Sequence, residues 1–138
     1  MTTANDWNQS IIKEFRENEG IVGGPFTGAT MLLLHHKGRK TGQERVNPLV
    51  YYAEGDRYVI FASKGGAPEH PEWYRNLLAN PEVSIEVGTD RFDVVATDLK
   101  GEERDRIYAA NAALQPTFAQ YQQNTTRVIP AIALTRKG

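Results

Sequence analysis

The sequence predicts an α+β fold built on a six-stranded, mainly antiparallel β-barrel, closed or split, with flanking helices. Six segments carry strand character, and helical segments stand before, between and after them. Two pairs of strand segments are joined by tight hairpin signals, Glu54-Gly55-Asp56 and Gly88-Thr89-Asp90. Connections that short cannot carry a parallel crossover, which argues against a doubly wound parallel sheet.

In order, Trp7, Ile11, Ile12 and Phe15 recur at helical spacing and Gly20 supplies a stop, so residues 1–22 read as an amphipathic helix that covers one end of the sheet. Residues 23–138 follow as the barrel, with no linker that would divide the chain into two domains. Thr30 to His36 is apolar throughout, the pattern of a strand buried on both faces. Arg45 to Ala53 and Arg57 to Ala62 are rich in β-branched and aromatic residues. Pro71 opens a short helix that Asn80-Pro81 ends. Val83 to Val87 and Phe92 to Leu99 alternate with period two. A polar helix starts at Gly101-Glu102-Glu103, where the helix dipole favours acidic residues, and Pro116 breaks it ahead of a piece carrying Phe118 and Tyr121. Ile129 to Thr135 is the last strand, and Pro130 implies an edge or first position.

The chain of 138 residues suffices for one domain, and its 40% hydrophobic and 24% charged residues are those of a globular protein. A net charge of -1 provides no global field for nucleic acid or an anionic membrane, so any anion site is local. With no cysteine, disulfides and thiolate metal sites are excluded. The first residues lack the basic and apolar regions of a signal peptide, and no apolar run is long enough to span a bilayer; the expectation is a cytoplasmic protein, with a weak membrane-surface contact of the N-terminal helix left open.

Chemistry concentrates in Lys37-Gly38-Arg39-Lys40-Thr41-Gly42-Gln43-Glu44-Arg45, a basic turn between the first two strands. Its glycines let backbone N–H groups face a ligand, its guanidiniums can grip an anion with paired hydrogen bonds, and Thr41 adds a hydroxyl. A phosphate or carboxylate suits it; a solvated hairpin is the alternative, and the spacing is not that of a Walker-type loop. Ala62-Ser63-Lys64-Gly65-Gly66 permits close backbone approach to a flat ring. Trp73, Tyr74 and Asn76 stand on the first turns of the short helix, whose free N-terminal amides could donate to ring carbonyls, with Trp73 and Leu77 alternatively simple core.

Taken in order and spacing, Gly38-Arg39-Lys40-Thr41-Gly42, Arg45-Val46-Asn47-Pro48-Leu49, Ala62-Ser63-Lys64-Gly65-Gly66, Pro71-Glu72-Trp73-Tyr74-Arg75-Asn76-Leu77, Ala79-Asn80-Pro81 and Arg127-Val128-Ile129-Pro130 resemble the deazaflavin-dependent nitroreductase family of actinobacteria, a branch of the flavin/deazaflavin oxidoreductases. The resemblance runs from about Gly23 onward. It implies a split β-barrel that binds reduced 8-hydroxy-5-deazaflavin, coenzyme F-420, and passes its hydride to an enone, quinone or nitro compound. FMN is the alternative cofactor, and a non-catalytic cofactor-binding or storage module the alternative function. Carried over, Arg39, Lys40, Thr41 and Arg45 would hold the cofactor's phosphate. Val46, Asn47, Pro48, Leu49 and Val50, with Phe61, Ala62, Ser63 and Lys64, would border its ring, and Glu72, Trp73, Tyr74, Arg75 and Asn76 would reach the pyrimidine edge.

No obligatory acid or base is required, because the cofactor carries the hydride. Ser63 and Tyr121 are candidates for hydrogen bonds to the acceptor. Family members that reduce nitroimidazoles line the acceptor wall with tyrosines; here Val50, Gln115 and Phe118 stand there, with Tyr121 retained. Each lost hydroxyl removes about 1 kcal/mol of specific bonding, which favours flat apolar enones or quinones over bicyclic nitroimidazoles. His35, His36 and His70 make no metal set, since adjacent strand residues face opposite ways. Ser10 and Ser84 lack a nucleophile elbow. Glu102, Glu103, Arg104, Asp105 and Arg106 read as a solvated charged face, with a weak Glu102–Arg106 pair.

Overall fold

Period-two alternation sorts the apolar residues of six strands onto two faces, and the sheet closes around one of them. The architecture comes from a computed structural model that describes residues 4–23, 30–63 and 70–137, with side chains from residue 9 onward. Helix α1 (Ala4–Glu17) precedes strands β1 (Met31–Lys37), β2 (Glu44–Glu54) and β3 (Arg57–Phe61); helix α2 (Glu72–Ala79) precedes β4 (Glu82–Val87) and β5 (Asp90–Leu99); helices α3 (Gly101–Leu114) and α4 (Thr117–Gln123) precede β6 (Ala131–Arg136). The strands form a closed barrel in the order β1-β2-β3-β6-β5-β4. Every pairing is antiparallel. The seam between β1 and β4 is short, running only from Leu33↔Glu86 to His35↔Ser84.

Leu32, Leu34, Ile60, Ile85, Val94, Ile132 and Leu134 point into the barrel, where Trp73, Tyr74 and Leu77 of α2 join them. Burying each of the large side chains contributes about 1.5–3 kcal/mol. Their neighbours in sequence face outward under helices. Met31 and Leu33 pack beneath Ile11, Ile12 and Phe15 of α1. Val59, Phe61, Ala131 and Ala133 pack beneath Ile107 and Tyr108 of α3. Strand β1 is therefore buried on both faces, which explains its unbroken apolar pattern.

Helix α1 ends where Gly20, at φ +94°, donates its N–H to the Phe15 carbonyl at 2.8 Å. Gly20 also lies against Gly88, close enough that a Cβ added to Gly20 would stand 2.8 Å from the Gly88 Cα.

Three local expectations are corrected. Pro71 is the N-cap in extended backbone, and the helix starts one residue later. The last strand starts at Ala131, because Pro130 has no N–H to give the ladder; its carbonyl accepts from the Ala62 N–H at 3.0 Å. Arg104 is not on a solvated face but 8% exposed, its guanidinium donating to the Ile129 carbonyl at 2.9 and 2.8 Å and to Gln122 Oε1 at 2.7 Å. Arg106 reaches Glu54 Oε1 at 3.1 Å, and Glu103 takes Arg57 at 3.2 Å, so α3 is tied to the β2–β3 hairpin. Among the described residues no helix is long and apolar enough to cross a membrane.

Candidate functional site

The basic turn closes on itself before it meets anything else. Gly38 N–H donates to the Gln43 carbonyl at 2.9 Å and Gly42 N–H to the Gly38 carbonyl at 2.8 Å. Gly42 sits at φ +72°, the left-handed region that a side chain disfavours. Thr41 Oγ1 accepts from the Gln43 N–H at 3.3 Å. The closed turn faces α2 across a cleft of about 190 Å³, lined by Gly38, Arg39, Lys40, Thr41 and Arg45 on one side and Glu72 and Asn76 on the other.

Among the described residues, three cations meet one carboxylate there. Arg39 Nη1 pairs with Glu72 Oε2 at 2.5 Å, and the hydrogen bond from Arg39 holds the Glu72 carboxyl below the usual carboxylate range. Lys40 and Arg45 leave the cleft with excess positive charge, and an anion with several oxygen acceptors matches that donor set. A cleft of about 230 Å³ beside the β1–β4 seam differs in this respect. Its three cations, Lys37, Arg91 and Lys137, share it with three carboxylates, Glu44, Glu82 and Asp93, and Lys137 pairs with Glu82 at 3.0 Å and Arg91 with Glu44 at 3.8 Å.

Behind the cleft lies a buried polar chain that sequence reasoning did not find. The Arg39 backbone N–H donates to Asn76 Oδ1 at 3.0 Å. Asn76 Nδ2 faces His36 Nδ1 at 3.0 Å, and His36 Nε2 faces Asn47 Oδ1 at 2.7 Å. His36 and Asn76 are each 3% exposed. Burial pushes the His36 pKa below its ordinary value, against the opposing effect of the hydrogen bond that Asn47 Oδ1 accepts. His35, on the opposite face of the strand, lies between Glu44 at 2.8 Å and Glu86 at 2.5 Å.

A second cluster gathers where β3 ends. Arg127 donates to the Ala62 carbonyl at 3.1 Å, the Ser63 carbonyl at 2.8 Å and His70 Nδ1 at 3.0 Å. One guanidinium thus ties the end of a strand to the residue preceding Pro71. Burial, followed by the nearby Arg127 charge, lowers the His70 pKa, which keeps Nδ1 available as an acceptor. Lys64, Gly65 and Gly66 lie outside the described residues. Phe61 meets Phe118 at 5.6 Å between ring centroids, Phe118 meets Tyr121 at 5.3 Å, and the Tyr108 hydroxyl fixes the Phe118 carbonyl at 2.6 Å. Gln115 caps α3, half-buried, two residues before α4 begins.

Other expected site residues lie elsewhere. Val46 and Val50 pack in the group under α1. Leu49 and Trp73 join the barrel interior, and Pro48 stands opposite Leu33 in the β1–β2 ladder. Arg75 is exposed. The Tyr74 hydroxyl donates to Asp98 Oδ2 at 2.6 Å, and burial together with that acceptor raises its pKa well above the ordinary phenol value. No residue type advertises the Arg127 tie, whereas the spacing Arg104, Ile107, Tyr108, Asn111 is a readable buried stripe of α3.

Comparison with known proteins gives a consistent result. The family model described as F420H(2)-dependent quinone reductase matches residues 7–136. An F420H(2)-dependent quinone reductase of Mycobacterium tuberculosis strain H37Rv is 42% identical over 127 residues, covering 89% of this chain and 85% of that protein. The solved structure of an F420-H2 dependent reductase superposes with a TM-score of 0.69 at 39% identity, over 75% of this chain and 92% of that one. A domain-swapped dimer superposes with a TM-score of 0.72 at 32% identity, over 96% and 99% of the two chains.

Proposed function

Because the chain belongs to the F420H(2)-dependent quinone reductase family, it is a deazaflavin-dependent oxidoreductase, and we propose that its basic turn anchors the coenzyme's phosphate while a quinone takes the hydride. The observation that carries the site assignment is the cleft in which, among the described residues, Arg39, Lys40 and Arg45 face a single carboxylate. Family membership leaves the FMN alternative, and the storage module, without support.

When bound, reduced deazaflavin supplies the hydride. The residues of the chain bind, orient and exclude water. Arg39, Lys40, Thr41 and Arg45 would hold the phosphate, Arg39 exchanging Glu72 for it. Asn76 lines the phosphate cleft, and the backbone at Ala62 and Ser63 would border the ring, its carbonyls held by Arg127. Phe118 and Tyr121 offer an aromatic wall for a flat acceptor, and the hydroxyls of Ser63 and Tyr121 would bond its oxygens. A quinone that gains a hydride and a proton leaves as the hydroquinone.

In this reading the chain acts as one cytoplasmic domain. Burial of Ile11, Ile12 and Phe15 against the barrel supports α1 as part of it rather than as a membrane contact.

Tryptophan-fluorescence titration with reduced deazaflavin and with FMN in parallel, followed by anaerobic mixing of the complex with menadione, tests the proposal. Tight binding of deazaflavin alone and rapid oxidation by the quinone are expected. Absence of any association with reduced deazaflavin would refute it.

A further inference from the structure

The chain of hydrogen bonds behind the cleft has one unambiguous member, and it determines the rest. A backbone N–H can only donate, so the Asn76 atom 3.0 Å from the Arg39 nitrogen is its oxygen. The Asn76 amide nitrogen therefore faces His36 at 3.0 Å. An amide nitrogen also only donates, so His36 Nδ1 is the bare, accepting nitrogen. Its proton is then on Nε2, which donates to Asn47 Oδ1 at 2.7 Å. A proton on Nδ1 would set two donors against each other in a place closed to water.

This series joins four elements of the site. His36 stands at the end of β1 and Asn47 on β2, Asn76 is on α2, and Arg39 is in the turn itself. Both walls of the cleft, the turn and α2, are thus referred to one imidazole. The turn's own bonds, Gly38 to Gln43 and Gly42 to Gly38, set its shape but not its distance from α2.

We propose that His36, as the neutral Nε2–H tautomer, is a positioning residue that holds the Asn76 amide so that it pins the Arg39 backbone and sets the width of the anion cleft. The imidazole touches neither coenzyme nor acceptor; it acts through Asn76. The inference rests on the basic turn being the phosphate site.

Its test uses the whole protein and His36→Val, His36→Gln and the Arg39→Ala/Lys40→Ala pair. Affinity is measured for reduced deazaflavin with its phosphate arm and for the same chromophore without the arm. His36→Val should weaken binding of the phosphate-bearing coenzyme about fivefold or more, the value of one net hydrogen bond. The phosphate-free chromophore should bind as before, with KM for the coenzyme rising and kcat at saturation unchanged. Amide exchange at Arg39 in the coenzyme-free protein should accelerate by a similar factor. His36→Gln, which can donate to Asn47 and accept from Asn76, should restore both readouts to within about twofold.

Equal weakening of both ligands, or unchanged Arg39 exchange, would overturn the positioning role. Unchanged affinity in the Arg39→Ala/Lys40→Ala protein would instead refute the phosphate site itself. Should His36→Val fail to fold, imidazole nitrogen NMR of the unaltered protein at about pH 7 decides: a protonated Nε2 and bare Nδ1 support the relay, and any other state overturns it.

Discussion

Replacing Arg39 and Lys40 together with alanine probes the electrostatics of the cleft most directly. A hydrogen bond to a charged partner contributes about 1.5–3 kcal/mol in favourable surroundings. The cleft is less favourable than that. The Arg39 side chain is 26% exposed, so solvent screens its share, and it must release Glu72 before gripping phosphate. About 1.5–3 kcal/mol remains for the two side chains combined, an affinity loss of roughly 10- to 150-fold at 1.4 kcal/mol per tenfold. The assay is fluorescence titration of reduced deazaflavin at two ionic strengths. Screening over a Debye length of about 8 Å should weaken the unaltered protein more than the double variant as salt rises. Lys13→Ala, on an exposed turn of α1, shows what removing one positive charge away from the cleft does. The reasoning fails if the double variant binds as tightly as its parent, or if Lys13→Ala loses as much.

Three further outcomes test the framework around the site. Tyr74→Phe removes the hydroxyl that donates to Asp98 Oδ2, leaving that oxygen to Lys100 at 2.9 Å, while Asp98 Oδ1 is buried without a partner among the described residues, so thermal unfolding should show a loss of about 1–3 kcal/mol. In the unaltered protein the raised Tyr74 pKa adds stability that is complete below the ordinary phenol value near 10 and is lost as pH climbs above it; the variant should lack that alkaline decline. Burial pushes the Glu86 carboxyl up, but hydrogen bonds from Arg16 and His35 outweigh it and leave the pKa below 4.5. A depressed carboxylate stabilises above its unfolded pKa and loses that contribution as pH falls, so Glu86→Gln should flatten the acid limb below about pH 4.5 in a chemical-denaturation series. Gly20→Ala should cost at least about 1 kcal/mol of unfolding free energy, since its φ is +94° and the new Cβ would meet the Gly88 backbone at 2.8 Å.

Most of the architecture was legible in the chain because strands and hairpins are written locally. Period-two alternation and the Glu54-Gly55-Asp56 and Gly88-Thr89-Asp90 turns identify β2–β3 and β4–β5, and the unbroken apolar run of β1 announces burial on both faces. The basic turn was equally plain, since its charges lie within a few residues of one another. The partners it acquires were not. Glu72 reaches Arg39 across 33 positions, Asn76 reaches His36 across 40, and Arg127 reaches Ala62 across 65, contacts that exist only once the barrel has closed. Arg104 likewise looked solvated until α4 and the start of β6 folded over it. Local pattern thus determined which elements form and where the positive charge gathers. Tertiary structure alone decided how that charge is held, because a hydrogen bond between distant residues depends on distances that no spacing along the chain encodes.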